Sequence, residues 1–150
     1  MRLHRTARPG VSLVQFAIVA PLATMLTLGL LVGAMGVFRN QQMAAIAREA
    51  SRWASMHGTD YAKATGLPAA TAQDIYNQVI VPRSTALNLG YLSYTVTWNT
   101  DNRPYHTVVV NSEVTAVANT VTVTINYQWV SEAYFGTVNL TSTSATPMSF

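Results

Sequence analysis

The sequence predicts an α+β protein: a long N-terminal membrane-spanning helix continues into an amphipathic half, which packs on a small, mainly antiparallel β-sheet. Three observations carry this reading. Val11 to Phe38 is a run of 28 residues with no Asp, Glu, Lys, Arg or His, where about 20 apolar residues suffice to cross a bilayer as a helix. Beyond it, apolar residues recur at helical period as far as His57. From Leu92 onward the period changes to two, the mark of strands.

Residues 1–10 form a basic leader. Arg2, Arg5 and Arg8 supply the whole net charge of +3, because six basic and six acidic residues balance from Arg39 onward. A positive segment beside an apolar run tends to stay in the cytoplasm, so the N-terminus is expected inside and the rest of the chain outside. This placement also removes the nucleic-acid reading that a pI near 9.5 invites, since the excess charge is not a patch on the folded domain. The apolar run is too long for an ordinary secretory signal, whose apolar core is about 7 to 15 residues.

Residues 11–38 are the predicted transmembrane helix. Pro21 removes one backbone donor within it and is expected to kink it. Gly29 and Gly33 stand at small-xxx-small spacing, which lets a second helix approach closely.

Residues 39–57 continue the helix with no intervening proline. Met43, Ile46, Ala47, Ala50, Trp53, Ala54 and His57 fall on one face, a stripe able to cover a sheet or meet other subunits. Glu49 and Arg52 are spaced to pair at i,i+3, and Gly58 stands where a helix C-cap belongs.

Residues 58–150 are the predicted extracytoplasmic domain. A second helix is expected over about Ala69 to Val81, opened by a Thr71/Asp74 capping box and stopped by Pro82. Strands are expected at Leu92 to Trp98, around Tyr105 to Val110 after an Asn99–Asn102 turn, from Val121 to Trp129, and around Val138 and Leu140 after a loop through Glu132 and Gly136. The apolar faces of these strands need a cover, and the stripe carrying Trp53 is the one available.

Nothing in the sequence groups the residues of an active site. The chain has no cysteine, which excludes disulfides, thiol catalysis and Cys-based zinc sites. The acids are scattered singly, and His4, His57 and His106 lie in three unrelated places. Trp98 and Trp129 are in phase with core positions, so they read as core rather than as a ligand platform. No catalytic activity, cofactor or metal is expected.

The leader and helix together resemble the TadE-like, pilin-related proteins of bacterial tight-adherence (Flp, type IVc) systems. The family signature R-x-G-x-x-x-V-E-F-A-L-V-x-P runs here as Arg8-Pro9-Gly10-Val11-Ser12-Leu13-Val14-Gln15-Phe16-Ala17-Ile18-Val19-Ala20-Pro21. Ala47 to Ala54, AREASRWA, is similar to the family's AREGAR-type segment, and the Val121 to Phe150 tail resembles its last two strands. The resemblance implies a minor pilin or pseudopilin cut by a prepilin peptidase after Gly10, which leaves Val11 at the head of an intact helix. It implies membrane lipid, the peptidase and other pilin-like subunits as partners. Phe16 and Pro21 follow the signature, but its glutamate is here Gln15. Such an acid is thought to pair with a neighbour's N-terminal amine; an amide can hydrogen-bond in lipid but cannot neutralise a cation. The alternative reading is a single-span, membrane-anchored binding module that does not polymerise.

Overall fold

The computed structural model describes residues 9–131 and 136–150. The leader arginines and His4 therefore lie outside the described residues, as does Glu132 of the predicted loop. The chain divides into two units, one ending at Gly36 and the other Val37–Phe150.

One helix, α1 (Pro9–Met56), contributes to both units. Its apolar portion is long and apolar enough to cross a membrane, and none of that stretch is buried by protein. Leu13, Phe16, Met25, Leu26 and Leu30 are all more than half exposed, the expected state of side chains whose solvent is lipid or another helix. Two hydroxyls in this run are satisfied within it: Thr24 donates to Ala20 O and Thr27 to Ala23 O, each at 2.8 Å. In hydrocarbon an unpaired hydroxyl costs several kcal/mol, so such back-bonding is the condition for tolerating threonine there. The helix is uninterrupted at Pro21, which leaves Ala17 O without its usual i+4 donor.

In the second unit α1 presents Met43, Ile46, Ala47, Ala50 and Ala54 to the core, each 4% exposed or less. Ser51 and Ser55 are equally buried on the same side. Trp53 and His57 are only half-buried, so the covering stripe is rotated from the expected one toward the two serines. The seam shows why. Ser51 Oγ donates to Arg48 O and lies 2.9 Å from Ser144 Oγ and 2.8 Å from Thr146 Oγ1. The strand facing it turns hydroxyls inward, and a serine answers them where an indole could not.

A short helix that the sequence reading lacked, α2 (Thr59–Thr65), follows a bend and ends at Gly66, whose φ of 74° is the left-handed cap that glycine favours. The capping box is present: Thr71 Oγ accepts from Asp74 N at 3.2 Å, and Asp74 Oδ2 accepts from Thr71 N at 2.9 Å. The helix it opens is not a single α-helix over Ala69 to Val81. It runs as α3 (Ala72–Ile75), a π-turn (Tyr76–Ile80) and α4 (Val81–Arg83). Pro82 explains the widening, since its ring would clash with Gln78 O in a regular α-helix. Proline is thus carried into the last turn instead of stopping the helix before it.

Among the described residues, five strands form two antiparallel sheets, where the sequence suggested one. The main sheet has the order β1 (Leu92–Trp98), β4 (Thr120–Val130), β5 (Thr137–Pro147). Its central strand buries Val121, Val123, Ile125, Tyr127 and Trp129 in strict alternation. The other sheet is a hairpin of β2 (Tyr105–Val110) and a strand not anticipated, β3 (Glu113–Ala118). Asn111 and Ser112 join them with φ of 53° and 66°, the left-handed pair that a two-residue primed turn requires.

Two further expectations change. Glu49 pairs with Arg83 at 3.0 Å across the fold, not with Arg52 along the helix. Gly58 is not a left-handed C-cap: its φ is −82° and it precedes α2. Its lack of a side chain serves a close approach, because a Cβ there would collide with the carbonyl of Phe150. Ser149 N and Phe150 N both donate to Ser55 O beside it, at 2.9 and 3.2 Å.

Candidate processing and assembly segment

The residues singled out for processing lie at the start of α1. Gly10 and Val11 are in its first turns, Gln15 and Phe16 one turn further, and Pro21 beyond them. Glycine is a poor helix former, so the Gly10 peptide lies in a locally weakened stretch of the helix. Gln15 and Phe16 are exposed, so both face whatever surrounds the helix. Cβ atoms built on Gly10, Gly29 and Gly33 would meet nothing within 4 Å, so the small-residue positions are open to a neighbouring helix.

The predicted stripe divides by environment. Met43, Ile46, Ala47 and Ala50 belong to the core of the second unit. Trp53 instead stacks on His57, with ring centroids 4.0 Å apart, and His57 meets Tyr61 at 4.5 Å.

Residues 10–52 match the family model described as TadE-like protein. This segment is TadE-like. The TadE-like segment begins at the glycine of the signature and ends one residue short of Trp53, and such a segment suggests a component associated with a Tad pilus. No match was found among curated proteins or among solved structures.

Sequence reasoning missed two polar centres of the second unit. Asn119 is fully buried; its Oδ1 lies 2.6 Å from His106 Nδ1, and its Nδ2 donates to Asp101 Oδ1 at 2.8 Å and Arg103 O at 2.9 Å. Its backbone N–H donates to Pro104 O and its carbonyl accepts from Met148 N, each at 2.8 Å. Because Nδ2 is the donor, Oδ1 is the acceptor, and His106 must carry its proton on Nδ1. A lone asparagine between two strands gives no sequence signal of such a role. The other centre is Ser51, which helical period places next to Ala50 but which polarity keeps out of an apolar stripe. His57 and His106 sit in separate hydrogen-bonded settings, and no cluster of three or more metal-binding side chains occurs among the described residues.

The Thr71 hydroxyl, with the Thr71 backbone N–H second, holds the Asp74 carboxyl below the usual value of 3.8.

Proposed function

We propose that this protein is a non-catalytic, pilin-like structural or assembly component of a tight-adherence (Flp-type) pilus or a related secretion apparatus. It is held in the bacterial inner membrane by one span with its N-terminus in the cytoplasm. A prepilin peptidase cuts after Gly10, and the retained helix first anchors the subunit and then packs against other pilin-like subunits. The observation that carries this reading is the TadE-like match, which starts at Gly10, runs through the uncharged stretch that ends at Phe38 and continues to Arg52. The open Gly29 and Gly33 positions support helix-on-helix packing as its fate.

Mass spectrometry of the protein purified from membranes tests the processing step. The expected N-terminus is Val11; an intact Met1, or a start near Val37, overturns it. Gln15→Glu tests assembly. If the glutamine limits incorporation, the substitution increases recovery in sheared filaments, and an unchanged yield shows that the charge is dispensable here. In-cell cross-linking separates a polymerising subunit, which has pilin-like neighbours, from an anchored binding module, which has none.

A further inference from the structure

Trp53, His57 and Tyr61 follow one another at i, i+4 and i+8 and form one wall of a groove of about 300 Å³. Leu67, Pro68 and Ala70 continue the lining, and Asp74 and Gln78 complete it from the helix that the capping box opens. All of these side chains belong to the second unit, and all come after the TadE-like segment.

The polar complement of this groove is unusual in its sign. His57 Nδ1 lies 2.8 Å from Trp53 O, so Nδ1 carries the proton and Nε2 of the neutral ring is an acceptor. Asp74 uses Oδ2 for both bonds from Thr71, and Oδ1 has no partner among the described residues. Gln78 is exposed and adds an amide oxygen. Lys63 is not part of the lining and is paired with Asp60 at 2.8 Å. The groove therefore joins aromatic surface to acceptors and one fixed negative charge, with no cation of its own.

We infer that this groove binds the guanidinium group of an arginine presented by a partner polypeptide. Guanidinium is a planar cation with five N–H donors and no acceptor, and it stacks on aromatic side chains. Each property has its counterpart here: the Asp74 carboxylate for the charge, Asp74 Oδ1, Gln78 and His57 Nε2 for the donors, and for the plane the rings of Trp53 and Tyr61, the two ends of a stack that has His57 in its middle. A neutral sugar or an apolar side chain would leave the carboxylate without a counter-charge. The inference is independent of whether the chain is cut at Gly10.

The test uses the full-length protein in detergent micelles with its tryptophans 15N-labelled, observed at the three indole resonances of Trp53, Trp98 and Trp129. N-acetyl-arginine amide is expected to shift the Trp53 resonance saturably and to leave Trp98 and Trp129 in place. N-acetyl-citrulline amide, the uncharged near-isostere, should produce no saturable shift. Asp74→Asn should raise Kd for the arginine probe at least tenfold. Gln78→Ala, at an exposed position outside the core, should raise it about threefold and keeps the test valid if the Asp74 variant fails to fold. The absence of a saturable Trp53 shift, or an equal response to the citrulline probe, overturns the proposal.

Discussion

His106 Nδ1 and Asn119 Oδ1 lie 2.6 Å apart, and that bond ties the base of the β2–β3 hairpin to a side chain with no exposure to solvent. Asn119→Ala would strand three partners at once: His106, Asp101 and the Arg103 carbonyl. Unpaired buried polar groups cost about 1–3 kcal/mol each, and those with access to water recover part of it. The expected loss is about 3 kcal/mol in urea unfolding of the full-length protein followed by tryptophan fluorescence. His106→Ala, at a half-buried position, should cost about 1 kcal/mol.

Gly58 and Gly66 should respond differently to alanine. At Gly58 the backbone angle is ordinary, but the new methyl meets the Phe150 carbonyl, so the tail must move; overpacking of this kind costs about 1–3 kcal/mol. At Gly66 the surrounding space is open and only the positive φ is at issue, which costs about 1 kcal/mol. Thermal unfolding should rank Gly58→Ala as the more damaging. Amide exchange should then show Ser149 and Phe150 losing protection in that variant alone.

The capping box gives a pH signature. Asp74 titrates below 3.8 in the folded chain because Thr71 stabilises its charged form, while unfolding restores the ordinary value. The unfolded state therefore takes up the proton first as pH falls. The stabilisation is fully present above 3.8 and disappears as pH drops through the lowered folded value. Thr71→Val removes the hydroxyl and should move the Asp74 carboxyl midpoint upward toward the unperturbed value, as read by 13C NMR. An unmoved midpoint would show that the hydroxyl has no part in the shift.

Glu49 and Arg83 form a bridge between partly exposed side chains. Such pairs contribute about 0–1 kcal/mol and weaken with salt. A double-mutant cycle on Glu49→Gln and Arg83→Gln should give a coupling energy of about 0.5 kcal/mol at low salt. Most of it should vanish at 1 M salt.

Legibility in the sequence followed the range of the forces involved. Strand β4 could be read directly, since each apolar residue from Val121 to Trp129 is a buried one. The capping box is equally local, and Thr71 and Asp74 meet as their spacing requires. The partner of Glu49 could not be read, because Arg83 is distant in sequence and the nearer Arg52 satisfies the same local rule. The meaning of Gly58 depends on Phe150, and that of Ser51 on Ser144 and Thr146, all strands away. For the processing segment the signature residues themselves were legible from Gly10 to Pro21. The acceptor groove was not, because it forms only when Asp74 and Gln78 are folded opposite Trp53.

The hydroxyl seam between α1 and β5 has a mechanical consequence. Apolar surfaces are nearly indifferent to small slips, since one methyl group substitutes for another. Ser51 must meet Ser144 and Thr146 together, and a slide of one helical turn that brought Ala47 to that place would set a methyl group against two half-buried hydroxyls and lose both hydrogen bonds. The seam thus behaves as a detent: it resists axial sliding of this stretch of helix over the strand, at a single setting.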